Sequence, residues 1–371
     1  MSLSKELWVP SARPLEAARP VLVNLLVVAL ACALALALGE FVVRALYKQQ
    51  IVLFPRYHTD YRYGPYTLRG IRPDSEFWHT SPDGSWRFVS NDRGFRDVRR
   101  FPYAKPAGTF RVLSLGDSHT QGYEVRQEAT FSSVLERYLR GRGLKAEVLN
   151  AGVSGFSTAE ELAFLENEGY KYEPDVVVLG FYANDFEDNL KAGLFALEGG
   201  QLVERRYEHI PGVRIQNVLY RIPGVRWLGE NSYLYALLFN TVWEAFQRVL
   251  TVQAVREYAV ATRATPSNNE IALGIALLAR MQRYCAGRGI RLVVVDIPRT
   301  PDHYRFSESL PARVLQAFSE MRTEFVSSRA LLADFDGTAE MHVPHGHHHI
   351  SELTHALIGV ELGRRIVHTT R

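Results

Sequence analysis

Residues 112–120 read Val-Leu-Ser-Leu-Gly-Asp-Ser-His-Thr, a short apolar run ending in Gly-Asp-Ser, where a serine hydroxyl could be presented for nucleophilic attack. Arg111 to Leu115 fit a buried parallel strand and Gly116 a tight turn. Ser118 then stands at the strand's carboxyl end, where open α/β sheets bind their ligands. The chemistry this suggests first is that of a serine hydrolase. Taken alone, the tripeptide is equally an ordinary strand-to-loop turn in which Asp117 and Ser118 bond to nearby backbone.

Blocks further along the chain narrow the choice. Asn150-Ala151-Gly152-Val153-Ser154-Gly155-Phe156-Ser157-Thr158 comes after the apolar run Glu147 to Leu149, and Gly180-Phe181-Tyr182-Ala183-Asn184-Asp185 after Val176 to Leu179. His349-Ile350-Ser351, with His355 behind it, lies near the end. Three loops would therefore meet at one sheet edge. In this order the blocks resemble the SGNH, or GDSL, hydrolase family, and most of all its bacterial membrane-anchored members, over roughly residues 90 to 365.

The resemblance implies a role for each matching residue. Ser118 corresponds to the nucleophile, whose own N–H is one oxyanion donor. Gly155 corresponds to the glycine whose N–H is a second donor, and glycine suits backbone that must approach substrate closely. Asn184 corresponds to the asparagine whose side-chain amide is the third. His349 corresponds to the general base, in the run His-Ile-Ser-Glu-Leu-Thr-His, with Thr354 where a glycine is common. Such a set performs acyl transfer. The imidazole takes the serine proton and returns it to the leaving alcohol, and the three donors hold the charge of the tetrahedral intermediate.

One position departs from the pattern. The family's third triad member is usually an aspartate three, sometimes two, residues before the histidine, and Gly346 and His347 stand there. Asp336 or Asp334 is expected to supply the carboxylate from upstream, after a strand at Leu331-Leu332-Ala333. The alternative is a backbone carbonyl that orients the ring in a Ser-His dyad. Loss of such an aspartate is worth about four orders of magnitude in related chemistry, so a second reading is a catalytically inactive member that serves as a structural subunit of a membrane complex.

The histidine-rich run from His342 to His349 also invites a metal reading, because His345, His347 and His349 would share a face of an extended strand. No carboxylate or cysteine nearby completes a recognisable ligand spacing, and neither metal nor cofactor is expected. A formal net charge of +3 and the lack of basic blocks interleaved with aromatics argue against nucleic acid as a partner. Cys32 lies in an apolar segment and Cys285 in a helical pattern, so they are not expected to pair.

The elements that must position these residues emerge from the hydropathy pattern. Pro20 to Gly39 carry no charge, long enough as a helix to cross a hydrocarbon core of about 30 Å. Residues 1–19 are expected to be a cytoplasmic segment, 20–46 an uncleaved transmembrane helix, and 47–109 a β-rich connector with turns such as Pro82-Asp83-Gly84. The connector ends in Asn91-Asp92-Arg93-Gly94-Phe95-Arg96, an Asn-x-x-Gly-Phe-Arg motif also found in related anchored hydrolases. Residues 110–371 are expected to form the hydrolase-like domain, with a helical insertion at about 186–269, where Phe239, Trp243, Phe246 and Val249 recur at helical spacing. After the insertion the pattern reads helix from Glu270 to Ala286, strand from Arg291 to Ile297, helix from Ala312 to Phe325, strand from Ala330 to Phe335 and helix from Ser351 to Val367. Five strands alternating with helices imply an α/β fold, a three-layer α/β/α sandwich around a parallel sheet, behind one N-terminal transmembrane helix. The expected activity is that of a serine esterase or acyl hydrolase on O-acyl esters of glycan or lipid. It would sit in the inner membrane with its large domain in the periplasm, with the bilayer and other membrane subunits as partners.

Overall fold

The computed structural model describes residues 14–55, 57–205, 211–255, 266–308, 310–346 and 348–370. It opens with a long helix, α1 (Pro14–Tyr47), whose stretch Pro20–Tyr47 has a mean hydropathy of 2.9 in its most apolar window and no residue of that window buried. The last turns of α1 are seated in the rest of the protein. Val43 is buried with Ile51, Leu53, Tyr233 and Ala236.

The connector forms two antiparallel hairpins, β1 (His58–Tyr63) with β2 (Tyr66–Ile71) and β3 (Glu76–Ser81) with β4 (Gly84–Val89). Their inward residues Tyr66, Leu68, Phe77 and Phe88 belong to the same core as the central strands.

Beyond the connector the chain alternates strand and helix: β5 (Phe110–Gly116), α2 (Ser118–Gln121), α3 (Phe131–Gly141), β6 (Ala146–Asn150), α4 (Thr158–Asn167) and β7 (Val176–Phe181). An insertion comes next: α5 (Asp185–Ala192), a hairpin of β8 (Phe195–Glu198) and β9 (Gln201–Glu204), then α6 (Pro211–Leu219), α7 (Val225–Asn231) and α8 (Tyr233–Val255). It is thus a hairpin plus helices rather than helices alone, because Gly199-Gly200 at positive φ turn the chain back on itself. In α8, Trp243 is buried and Phe239 half-buried with stacked rings, while the side chains of Phe246 and Val249 lie outside the described residues. The alternation resumes with α9 (Asn268–Ala286), β10 (Arg291–Asp296), a small hairpin of β11 (Arg299–Asp302) and β12 (Arg305–Ser307), α10 (Ala312–Met321), β13 (Glu324–Val326), α11 (Ser328–Leu332) and α12 (Glu352–Thr370).

The central sheet is parallel, in the order β13-β10-β7-β5-β6. Alternate strand residues face opposite layers. Val112, Val176, Val178, Val293 and Val295 pack with Phe131, Leu135, Ile358 and Leu362 of α3 and α12. Leu113, Leu115, Val177, Leu179 and Val294 pack with Leu162, Leu277, Leu278 and Phe318 of α4, α9 and α10. Coverage of both faces explains why these strands read as unbroken apolar runs.

One expected strand is elsewhere. Leu331 and Leu332 lie in a helix started by Ser327, whose hydroxyl accepts from Ala330 N, and the fifth strand is Glu324–Val326, paired with Val293 to Val295. Arg322, left-handed at φ +54, ends α10 at Met321, four residues before the expected end.

Candidate active site

The nucleophile loop is built by local sequence. β5 stops at Gly116 with φ +151, where a Cβ would overlap Thr120 Oγ1 and lie 3.0 Å from the Gly180 carbonyl. Only glycine fits that turn. The Asp117 carboxylate accepts from His119 N at 2.8 Å and starts the single helical turn at whose head Ser118 stands. Val153 N donates to the Gly116 carbonyl at 3.0 Å, and Asn150 Nδ2 to the Thr120 carbonyl at 2.9 Å, which joins the loop after β6 to this turn.

Ser118 and His349 come together across 231 residues of chain, with Ser118 Oγ 2.7 Å from His349 Nε2. The other ring nitrogen, Nδ1, lies 2.5 Å from the carbonyl of Gly346. A carbonyl only accepts, so Nδ1 carries the proton and Nε2 is left with its lone pair facing the serine hydroxyl. That is the tautomer a general base needs. Tyr123 stacks on the ring at 4.3 Å between centroids, and His119 packs against it at 4.8 Å.

Asp336 does not take part. It is exposed, and its carboxylate accepts from Phe306 N at 3.3 Å. Asp334 is exposed too. The segment that carries both is helical rather than a strand aimed at the sheet edge, which directs them to solvent. Of the two ways to orient the ring, the structure has the backbone carbonyl.

Gly155 and Asn184 lie on the loops after β6 and β7, the neighbours of β5. Gly155 is left-handed at φ +79, and Arg69 of β2 donates to its carbonyl through Nη2. Asn184 caps α5, and its Nδ2 donates to Asp188 at 3.0 Å, which leaves a second amide hydrogen. Thr158 Oγ1 donates to Asp185 at 3.3 Å and Ala159 N to Asn189 at 2.8 Å, so the two loops are tied to each other.

The connector grips the nucleophile turn, the Gly155 loop and the histidine loop. Besides Arg69 on the Gly155 loop, the buried Arg96 donates to the carbonyls of Gln121 at 2.8 Å and Val125 at 2.6 Å, and also to that of Gly122. Burial lowers its pKa to about 9. Asp83, in the β3–β4 turn, accepts from His345 N at 2.9 Å and from His345 Nδ1 at 2.8 Å. Arg96 ends the motif at residues 91–96 that closes the connector, and the bonds Arg96 makes are the use the structure gives that motif.

Several titratable groups around the site are buried, which the motifs that carry them do not reveal. Burial pushes Asp117 up to about 7, and it holds Asp185 and Glu161 well above the usual carboxylate range, reinforced by their mutual repulsion. Burial also keeps His119 far below the usual imidazole range, with His342 at about 4 and His355 at about 3. Their only sequence signal is being polar inside apolar surroundings. Of the three histidines in the metal reading, His345 is held by Asp83 and His349 by Ser118, and His347 lies outside the described residues. Among the described residues no three His, Cys, Asp or Glu side chains converge as a metal site requires.

Comparison with known proteins identifies a family. The profile of the GDSL-like lipase/acylhydrolase family matches residues 114–356. An arylesterase of Vibrio mimicus is 35% identical over 75 residues, which cover 20% of this chain and 38% of that protein. The chain therefore spans well under half of that relative's length. Among solved structures, TesA is 15% identical with a TM-score of 0.39, over 69% of this chain and 99% of its own. The lipase/acylhydrolase from Enterococcus faecalis is 16% identical with a TM-score of 0.40, over 69% and 95%.

Proposed function

The chain belongs to the GDSL-like lipase/acylhydrolase family, and from that premise we propose that it is a membrane-anchored serine acyl hydrolase working through a Ser118–His349 dyad. The observation that carries this reading is the 2.7 Å contact from Ser118 Oγ to His349 Nε2, with Nδ1–H fixed on a carbonyl. In the forward step Ser118 Oγ attacks the acyl carbon as its proton passes to His349 Nε2. The alkoxide then leaves with that proton, and water, deprotonated by the same nitrogen, releases the acid. The N–H groups of Ser118 and Gly155 and the Asn184 amide are the donors assigned to the oxyanion.

The substrate class proposed is O-acyl esters of glycan or lipid presented at a membrane. The 28 residues Pro20–Tyr47 span about 42 Å as a helix, more than a hydrocarbon core of about 30 Å. The foot of this helix is fixed. Glu40 accepts from Ser232 Oγ at 2.8 Å, Tyr233 N at 3.1 Å and Leu234 N at 2.9 Å, and so caps α8. This supports an anchor continuous with the body; the orientation we propose puts the large domain outside the cytoplasm. Alkaline phosphatase fused after Arg371 tests it, being active only on the outer side of the inner membrane.

The enzyme reading is tested by treating the detergent-solubilised full chain with a fluorophosphonate and locating the adduct by peptide mass spectrometry. An adduct on Ser118 that is lost in Ser118→Ala is expected. A folded protein that never labels would overturn the reading in favour of a non-catalytic subunit of a membrane complex.

A further inference from the structure

His349 is oriented by a neutral carbonyl, yet a carboxylate is packed directly behind that carbonyl's residue. Glu124 is 2% exposed, and among the described residues neither of its oxygens has a hydrogen-bond partner; the nearest cationic candidate there is His79 Nε2 at 3.6 Å. Its backbone is left-handed at φ +58, uncommon for a residue other than glycine, asparagine or aspartate. A buried carboxylate without hydrogen bonds is costly, and such strain persists where the surroundings impose it. Both features fall on the residue after Tyr123, whose ring stacks on His349.

The contact with the histidine loop is close. A Cβ added to Gly346 would overlap Glu124 Oε2 and lie 2.6 Å from Val343 Cβ. The direction in which residue 346 would project a side chain is therefore filled by the Glu124 carboxylate. Position 346 is three before His349, and its carbonyl is the one that holds Nδ1–H.

We propose that Glu124 is the positioning carboxylate of this site, delivered from the nucleophile's own loop and acting on His349 through Gly346. The inference rests on the dyad assigned above. Packed on Gly346, Glu124 fixes the carbonyl that selects the tautomer, and its charge stabilises the imidazolium that forms when Ser118 gives up its proton. The other charged groups around it are engaged elsewhere. Arg96 donates to backbone carbonyls on either side of Glu124, Arg126 is paired with Glu352 at 2.5 Å, and His345 with Asp83 at 2.8 Å. His79 from β3 approaches it at 3.6 Å, and Glu340, His342 and Glu352 line the same cavity as Glu124.

The test compares Glu124→Gln with Glu124→Asp in the full chain in detergent, following p-nitrophenyl acetate hydrolysis against pH. Aspartate keeps the charge and tolerates the left-handed backbone, so it guards against a folding failure; thermal melting checks both variants. Glu124→Gln is expected to lower kcat about ten- to a hundredfold, the range for loss of an outer partner of an oriented imidazole. It should also move the acid limb of kcat/KM to lower pH by up to about one pH unit, because a lost negative charge makes the imidazole easier to deprotonate. Glu124→Asp should restore the limb and part of kcat. A merely structural role would lower activity without moving the limb. That result, an unchanged Glu124→Gln, or a His79→Asn variant that shifts the limb by the same amount, would overturn the inference while Ser118→Ala remained dead. Full activity in Ser118→Ala would instead overturn the dyad itself.

Discussion

The two halves of the site are held in different ways. The nucleophile turn is specified within a few residues, by Gly116 that no side chain can replace and by Asp117 that starts the turn. The histidine loop closes on itself only through backbone, His349 N on the Gly346 carbonyl, Gly346 N on that of Val343 and Val343 N on that of His349, and its side-chain holds come from Asp83 and Glu124, more than two hundred residues away in sequence. A short-range turn can be read and moved as a unit. A loop held from outside depends on the segments that hold it, and here one of them is the connector between α1 and the sheet.

The largest effect expected tests whether the halves act together. Ser118→Ala and His349→Ala should each lower kcat/KM for p-nitrophenyl acetate by on the order of 10⁵, and the double variant by no more than either alone. Multiplying losses would mean that the two residues serve separate functions. Gly116→Ala should unfold or inactivate the nucleophile half by itself, since the added Cβ meets a buried threonine and a carbonyl. A cost of about 3 kcal/mol or more in denaturant midpoints is expected.

The histidine half should fail more gently and from a distance. Asp83→Ala removes both bonds to His345, on a pair that is more than half exposed on the histidine side, so global stability should change by less than about 1 kcal/mol. Activity should nonetheless fall about tenfold as the loop loses its outer hold. If kcat is unchanged while Arg69→Met, on the Gly155 side, lowers it, the connector serves the oxyanion loop and not the histidine loop.

This difference also decides what can be read from the chain. Strands β5, β6, β7 and β10 are legible as apolar runs, because burial on both faces leaves no polar alternation to confuse them. Ser118, Gly155, Asn184 and His349 stand out because each comes after a strand end or within a recognisable block. The short strand Glu324–Val326 does not, since three residues carry too little pattern to separate from the helix before it. Asp336 is the natural candidate by nearness in sequence, and the structure turns it to solvent. Glu124, Arg69 and Asp83 have no local signal at all, because each acts only where another part of the chain folds against it.

A smaller effect separates the halves by proton linkage. Asp117 titrates near 7 in the folded protein because of burial, against about 3.9 for an exposed aspartate, and it shares its surroundings with Asp185 and Glu161. A raised folded value means that the native state holds a proton the unfolded chain releases. The stabilisation is complete below about pH 4 and is lost as pH rises through about 7. The buried histidines near the histidine loop act oppositely. His342 at about 4 and His355 at about 3 are neutral when folded, so stability falls as pH drops below the unfolded value of about 6.5. Asp117→Asn keeps an oxygen for His119 N and removes only the first contribution. Its stability relative to the wild-type chain should therefore rise from about pH 5 to about pH 8 in urea titrations, while both proteins share the same decline toward acid. Parallel curves across that range would show that Asp117 is ionised in the folded protein, and that the nucleophile turn tolerates a full charge beside the serine.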